Sequence, residues 1–195
     1  MSLATDGQIL RLLLVSEDDQ VREELRLSLT TDYQVEIAPD ALSNFAFTQP
    51  FDIVLIVRET MNAAYLNALN EMLGRSPSAV AVFVKQDPEK LAASAIRSGI
   101  TSYVVDGYEL GRVPTVLELS LERFKLQQGL QNELQKSQEE LAARKIIEKA
   151  KGLLMDKKDL NEQDAYRSLR ELAMRQSKSI REVSETLILY SDILP

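Results

Sequence analysis

Three stretches of this chain are apolar almost without interruption: ILRLLLV at Ile9–Val15, FDIVLIV at Phe51–Val57 and AVAVFV at Ala79–Val84. A strand with one wet face alternates apolar and polar residues, so runs like these imply cover on both faces. Two shorter runs, Tyr33–Ile37 and SYVV at Ser102–Val105, bring the strand candidates to five. Stretches with helical spacing lie between them. Gln20–Leu29 sets Val21, Leu25 and Leu29 four apart. Ala41–Thr48 is a short helix candidate broken at Gln49-Pro50, and Asn62–Leu73 is one ended by Gly74. Pro88–Arg97 has proline at its start and Gly99 just past its end. Strand–helix alternation of this kind calls for a parallel sheet with right-handed crossovers.

The expected product over residues 1–113 is an α/β domain: a flavodoxin-like, doubly wound, five-stranded parallel sheet. Its working site belongs at the carboxyl ends of the strands. From Pro114 the character changes. No proline occurs from there through Met155, and Leu130, Leu134, Ser137 and Leu141 form a short 4–3–4 seam. Residues 114–140 read as the last helix of the first domain running into a linking helix, either solvated or paired with a second copy as a coiled coil. Residues 141–195 read as a small three-helix bundle. Arg144–Met155 offers Ile147, Ala150 and Leu154, and Glu162–Arg175 offers Ala165, Leu169, Leu172 and Ala173. A capping box at Ser179–Glu182 opens a last helix carrying Ile180, Val183, Leu187 and Ile188. Gly152 costs a helix about 1 kcal/mol against alanine, and close approach of a neighbouring helix is the expected reason for it.

Composition narrows the chemistry. The 195 residues include no cysteine and no histidine, which removes disulfides, thiolate ligands, the usual general base and the commonest metal ligand. There is no glycine-rich phosphate loop either, so neither an enzyme nor a cofactor is expected. The chain has no apolar run long enough to span a membrane and no export leader, which points to the cytoplasm. The net charge of −7 is uneven. Residues 1–125 carry 11 Lys and Arg against 18 Asp and Glu, whereas residues 126–195 carry 12 of each. A neutral tail is compatible with a basic face, because clustering is what a polyanion feels.

Over about residues 9–125 the order of elements resembles the receiver domain of two-component response regulators. In that family an acidic pair after the first strand holds Mg²⁺, and an aspartate ending the third strand accepts phosphate. A hydroxyl residue ends the fourth strand, and a lysine follows the fifth. On this sequence the acidic pair falls on Ser16 and Glu17, and the acceptor on Val57. The hydroxyl falls on Val84 or Lys85, and the lysine on Asp106. Only Glu17 keeps its character, with Asp18 beside it. A valine cannot carry a phosphoryl group, and an acid stands where the fixed cation is expected. The resemblance therefore implies a degenerate phosphorylation site at Ser16, Glu17, Val57, Lys85 and Asp106. Glu17, Asp18 and Asp19 are read as a solvated acidic loop in preference to a residual Mg²⁺ site, so no metal is expected.

The tail closely resembles the ANTAR domain, the output module of transcription antitermination regulators. The matching blocks are RKIIEKAKGLLM at Arg144–Met155, NEQDAYRSLRELAM at Asn161–Met174 and SIREVSETLI at Ser179–Ile188. SYVVDG at Ser102–Gly107, followed by a long helix containing ERF, resembles the nitrate- and amide-responsive members of that group. The resemblance implies binding to paired stem-loops of a leader mRNA, control by a ligand-sensing regulatory protein, and a homodimer formed through the linking helix. Lys149, Lys151, Arg167, Arg170, Arg175 and Lys178 are the expected electrostatic footprint for RNA, set among further cations at Arg144, Lys145 and Arg181. Tyr166 lies beside the apolar face and is expected in the core rather than as a stacking platform for a loop base.

Three other readings remain at this point. The first is a phosphorylated switch whose acceptor has moved to Asp52 or Glu59. The second is a DNA-binding regulator with a helical output domain, and the third a protein–protein adaptor.

Overall fold

The structure is a computed structural model and describes residues 9–38 and 50–193. The chain divides into two compact units, Met1–Gln128 and Gly129–Pro195. In the first unit, β1 (Leu10–Ser16), β2 (Tyr33–Ala38), β3 (Ile53–Thr60), β4 (Ala79–Gln86) and β5 (Ser102–Val105) form one sheet. All pairings are parallel and the order is β2-β1-β3-β4-β5. This is the doubly wound order expected of a flavodoxin-like domain, with the chain reversing direction across the sheet at β1 and β3.

The unbroken apolar runs serve two cores. On one face Leu13, Val15, Val54, Ile56, Val80 and Val82 pack with Leu66, Leu69 and Met72 of α2 (Ala63–Arg75) and Ala95 of α3 (Ala92–Arg97). On the other, Leu12, Leu14, Ile53, Leu55, Ala81 and Phe83 meet Leu25 and Leu29 of α1 (Asp19–Leu29). Val113, Leu117 and Leu121, at the start of α4 (Val113–Lys158), close that second core. Alternate residues of each strand thus enter opposite cores, which is why the runs carry no polar phase.

Several elements differ from the sequence expectation. β3 and β4 outrun their apolar segments, because pairing continues through Arg58↔Val84 and Thr60↔Gln86. Arg58 is therefore a strand residue, held in place rather than carried on a loop. α2 passes through Gly74 and ends at Arg75, with Asn62 as its cap. α3 covers only six residues. Pro88 does not open it: Asp87 accepts the amide N–H groups of Leu91 and Ala92, and Lys90 takes a left-handed φ of 51°. That turn spends the residues that otherwise would form the first helical turn. The candidate helix Ala41–Thr48 lies outside the described residues.

The largest difference is α4. It runs 46 residues without a break and includes Arg144–Met155, so the first helix of the expected bundle is the end of one long helix. In the second unit, Ala150 and Leu154 of α4 pack with Ala165, Leu169 and Ala173 of α5 (Glu162–Gln176) and Val183 of α6 (Ile180–Ile193). Asn161 caps α5 by accepting the Asp164 N–H at 2.9 Å. The capping box opening α6 forms as the sequence implies: Ser179 N–H donates to Glu182 Oε2 at 2.7 Å, and Glu182 N–H donates to Ser179 Oγ at 3.2 Å. Gly152 does not serve close packing, because a Cβ built there meets nothing within 4 Å.

Candidate functional site

The first candidate is a cleft at the carboxyl ends of the strands, where a parallel sheet of this winding places its ligands. Its volume is about 410 Å³. All five positions of the expected degenerate site, Ser16, Glu17, Val57, Lys85 and Asp106, line it. Register brings them together, since Ser16 sits opposite Val57 and Val57 opposite Phe83, two residues before Lys85. Asp106 and Gly107 turn the chain just after β5 with φ of 78° and 83°, a conformation glycine tolerates and aspartate adopts more readily than most residues.

Most of the charges in the cleft are paired inside the chain. Arg58, next to Val57 at the expected acceptor position, sends Nη2 to within 3.1 Å of Glu17 Oε2. Its guanidinium lies 4.2 Å from the centre of the Tyr65 ring, and its Nε–H donates to the Thr60 carbonyl at 3.2 Å. Glu17 Oε1 accepts the Glu59 N–H at 2.7 Å. Glu59 in turn faces Lys85 at 3.3 Å, an exposed and weak pair. Asp18 caps α1, accepting from Gln20 and Val21, and Asp19 pairs with Arg22 at 2.8 Å. Tyr108 closes one side by donating to Glu24 at 2.7 Å, and burial followed by that carboxylate pushes its phenol up to about 12.

The second candidate is the surface of the helical unit. Lys149, Arg167, Arg170, Arg175 and Lys178 are all exposed. On α5, Gln163, Arg167, Arg170 and Met174 follow 4–3–4 spacing on the side opposite the buried Ala165, Leu169 and Ala173. Met174 is 72% exposed, and Tyr166, at the border of that stripe, is 43% exposed. Tyr166 is thus not the core residue expected; four positions before Arg170, it lies at the edge of the basic stripe. Lys151 departs from expectation in the other direction. It is only 7% exposed, with Nζ 2.8 Å from Glu148 and 2.7 Å from Glu162. Hydrogen bonds to Glu148 and then Glu162 hold its pKa above the usual lysine value, and the Glu162 carboxyl is held below its own. Lys151 ties α4 to the start of α5 and, unlike the other five cations, is buried.

Known proteins resemble both units of the chain. Residues 135–188 match the ANTAR domain family. The chain is also 23% identical over 188 residues to the transcriptional regulatory protein PdtaR of Mycobacterium tuberculosis, covering 94% of this chain and 92% of that protein. The chain carries an ANTAR domain behind a domain of receiver-type fold. Its fold also resembles that of the crystal structure of NtrX from Brucella abortus, with a TM-score of 0.52, 20% identity, and coverage of 64% of this chain but 29% of NtrX. A signal receiver domain of a putative LuxO repressor protein from Vibrio parahaemolyticus gives a TM-score of 0.50 at 17% identity, over 63% of this regulator and 98% of that chain. An adenylate cyclase structure from Rhodopirellula baltica gives 0.50 at 15% identity, over 66% and 99%. At these identities the solved structures speak to the fold of the first unit. Among the described residues, no helix is long and apolar enough to cross a membrane.

Proposed function

We propose that this ANTAR regulator binds leader mRNA at paired stem-loops and acts by antitermination. Its receiver-type domain takes no phosphoryl group and answers instead to a ligand-sensing regulatory protein. The observation that carries the reading is the α5 stripe: Arg167, Arg170 and Met174 exposed together on a helix whose other side is fully committed to the core. Guanidinium groups suit phosphate oxygens, and an exposed Tyr166 at the stripe's edge suits an unpaired loop base. Lys149, Arg175 and Lys178 extend the footprint, whereas Lys151 acts within the fold. Leu126, Leu130, Leu134 and Leu141 are exposed along α4, which supports a homodimer through that helix.

The test is a gel shift with stem-loop RNA. Arg167→Glu together with Arg170→Glu should weaken binding at least about tenfold while helicity is retained, and wild-type affinity should fall steeply with salt. Equal affinity in the double variant ends the proposal. Stronger competition by duplex DNA than by the stem-loop would transfer the stripe to DNA. A mass increase after incubation with acetyl phosphate and Mg²⁺ would instead restore a phosphorylated switch.

A further inference from the structure

A receiver-type fold implies a divalent cation at the carboxyl ends of its strands, and the residues of this cleft do not fit one. Mg²⁺ takes oxygen ligands at about 2.0–2.1 Å in a near-octahedral set, usually with one or two carboxylates turned towards it. Here Val57 offers no side-chain oxygen. Both oxygens of Glu17 are engaged, one by Arg58 at 3.1 Å and the other by the Glu59 N–H at 2.7 Å. Asp18 is taken up in capping α1, and Asp19 by Arg22. Among the described residues, no group of three or more Asp, Glu, His or Cys is placed to hold a metal ion.

What the cleft has in that place is a guanidinium. We infer that Arg58 is a built-in cation that replaces the divalent ion, neutralising Glu17 and keeping the first unit in one state whatever the Mg²⁺ supply. Three features suit it to the role. It sits on a paired residue of β3, so its backbone is fixed by the Arg58↔Val84 register. Its side chain is 15% exposed and lies against the Tyr65 ring, which favours a weakly hydrated guanidinium over an ammonium. Its pairing to Glu17 joins the ends of β1 and β3 directly, and the Glu17–Glu59–Lys85 contacts carry the link on to β4. The inference stands on the cleft alone and is independent of RNA binding.

The experiment uses the full chain with Mn²⁺ as a paramagnetic probe and with thermal melts in EDTA or millimolar MgCl₂. Wild-type protein should show the same melting temperature in both media and no enhanced water relaxation from bound Mn²⁺. Arg58→Met should melt lower in EDTA, regain part of the loss in MgCl₂, and bind Mn²⁺ at least about tenfold more tightly than wild type, since a like charge no longer excludes the ion. Adding Glu17→Gln to that variant should abolish the response. Arg58→Lys, which keeps the charge, should fold and stay insensitive. Stabilisation of wild type or of Arg58→Lys by Mg²⁺ overturns the inference. So does an Arg58→Met protein, folded or not, that gains nothing from divalent ions.

Discussion

Lys151 and Arg58 show how a cation's role depends on its carboxylate neighbours more than on its place in a basic motif. Lys151 stands inside the RKIIEKAKGLLM block of the tail, and the ANTAR resemblance assigns it to an electrostatic footprint. Its ammonium is instead shared by Glu148 and Glu162, one turn back on α4 and at the start of α5. The consequence for pH can be worked out by sign. Glu162 has its carboxyl held below 4.5 by the hydrogen bond from Lys151, so its contribution is present above 4.5 and is lost as pH falls through the lowered value. Glu182 behaves alike, its carboxyl held down by the Ser179 backbone and hydroxyl of the capping box. Lys151 itself is raised above 10.5, so its contribution is complete below that value and fails only as pH rises through the raised one. The acid side is therefore where the helical unit weakens. Glu162→Gln should melt lower than wild type at neutral pH and lose less on acidification below 4.5, as read by circular dichroism. Identical acid profiles for the two proteins would show that the pair contributes nothing.

At the scale of elements, what was legible in the sequence was the periodic part. Three apolar runs announced β1, β3 and β4, and Asp106-Gly107 marked the end of β5 because both residues take positive φ. Local side-chain chemistry was not legible. Asp87 capturing the Leu91 and Ala92 amides shortens α3, and apolar spacing carries no trace of it. The sequence pattern of α4 splits into separate pieces for a related reason. Its first turns serve the sheet through Val113, Leu117 and Leu121, and its last serve the bundle through Ile147, Ala150 and Leu154. One continuous helix with two unrelated apolar stripes has no single period to detect. The five cleft residues were legible only through the receiver resemblance, whereas Arg58 needed the strand register to place it beside Glu17. Gly152, for which the sequence predicts a close helix neighbour, has none. With open space around its missing side chain, it carries the helix cost of glycine without a packing return. Gly152→Ala should raise the stability of the protein by ~0.5–1 kcal/mol in urea titrations followed by circular dichroism. A loss of stability would mean that a neighbour does need the small residue.

At the scale of the whole molecule, the division of labour follows charge and exposure. The acidic excess is confined to the first unit, and the exposed cations of the α5 stripe stand in a tail of balanced charge, so polyanion binding by the tail meets no net repulsion from its own unit. A single three-helix unit offers few phosphate contacts, and linking two of them raises avidity without any new contact, by as much as about 10²–10⁴. In the proposed homodimer the exposed leucines of α4 would carry that link. Leu130 and Leu134, each 60% exposed, are one helical turn apart, and Leu141 continues the stripe. Replacing both Leu130 and Leu134 with Glu puts like charges on the seam and leaves the sheet and bundle cores untouched. Under the proposed homodimer, sedimentation equilibrium should report a dimer for wild type and a monomer for this variant. Affinity for an RNA with two stem-loops should drop roughly 100-fold, while affinity for one isolated stem-loop should stay the same. A variant that remains dimeric removes α4 as the interface. An equal loss on both RNAs places the leucines in the binding surface, because loss of avidity alone acts only where two sites are offered.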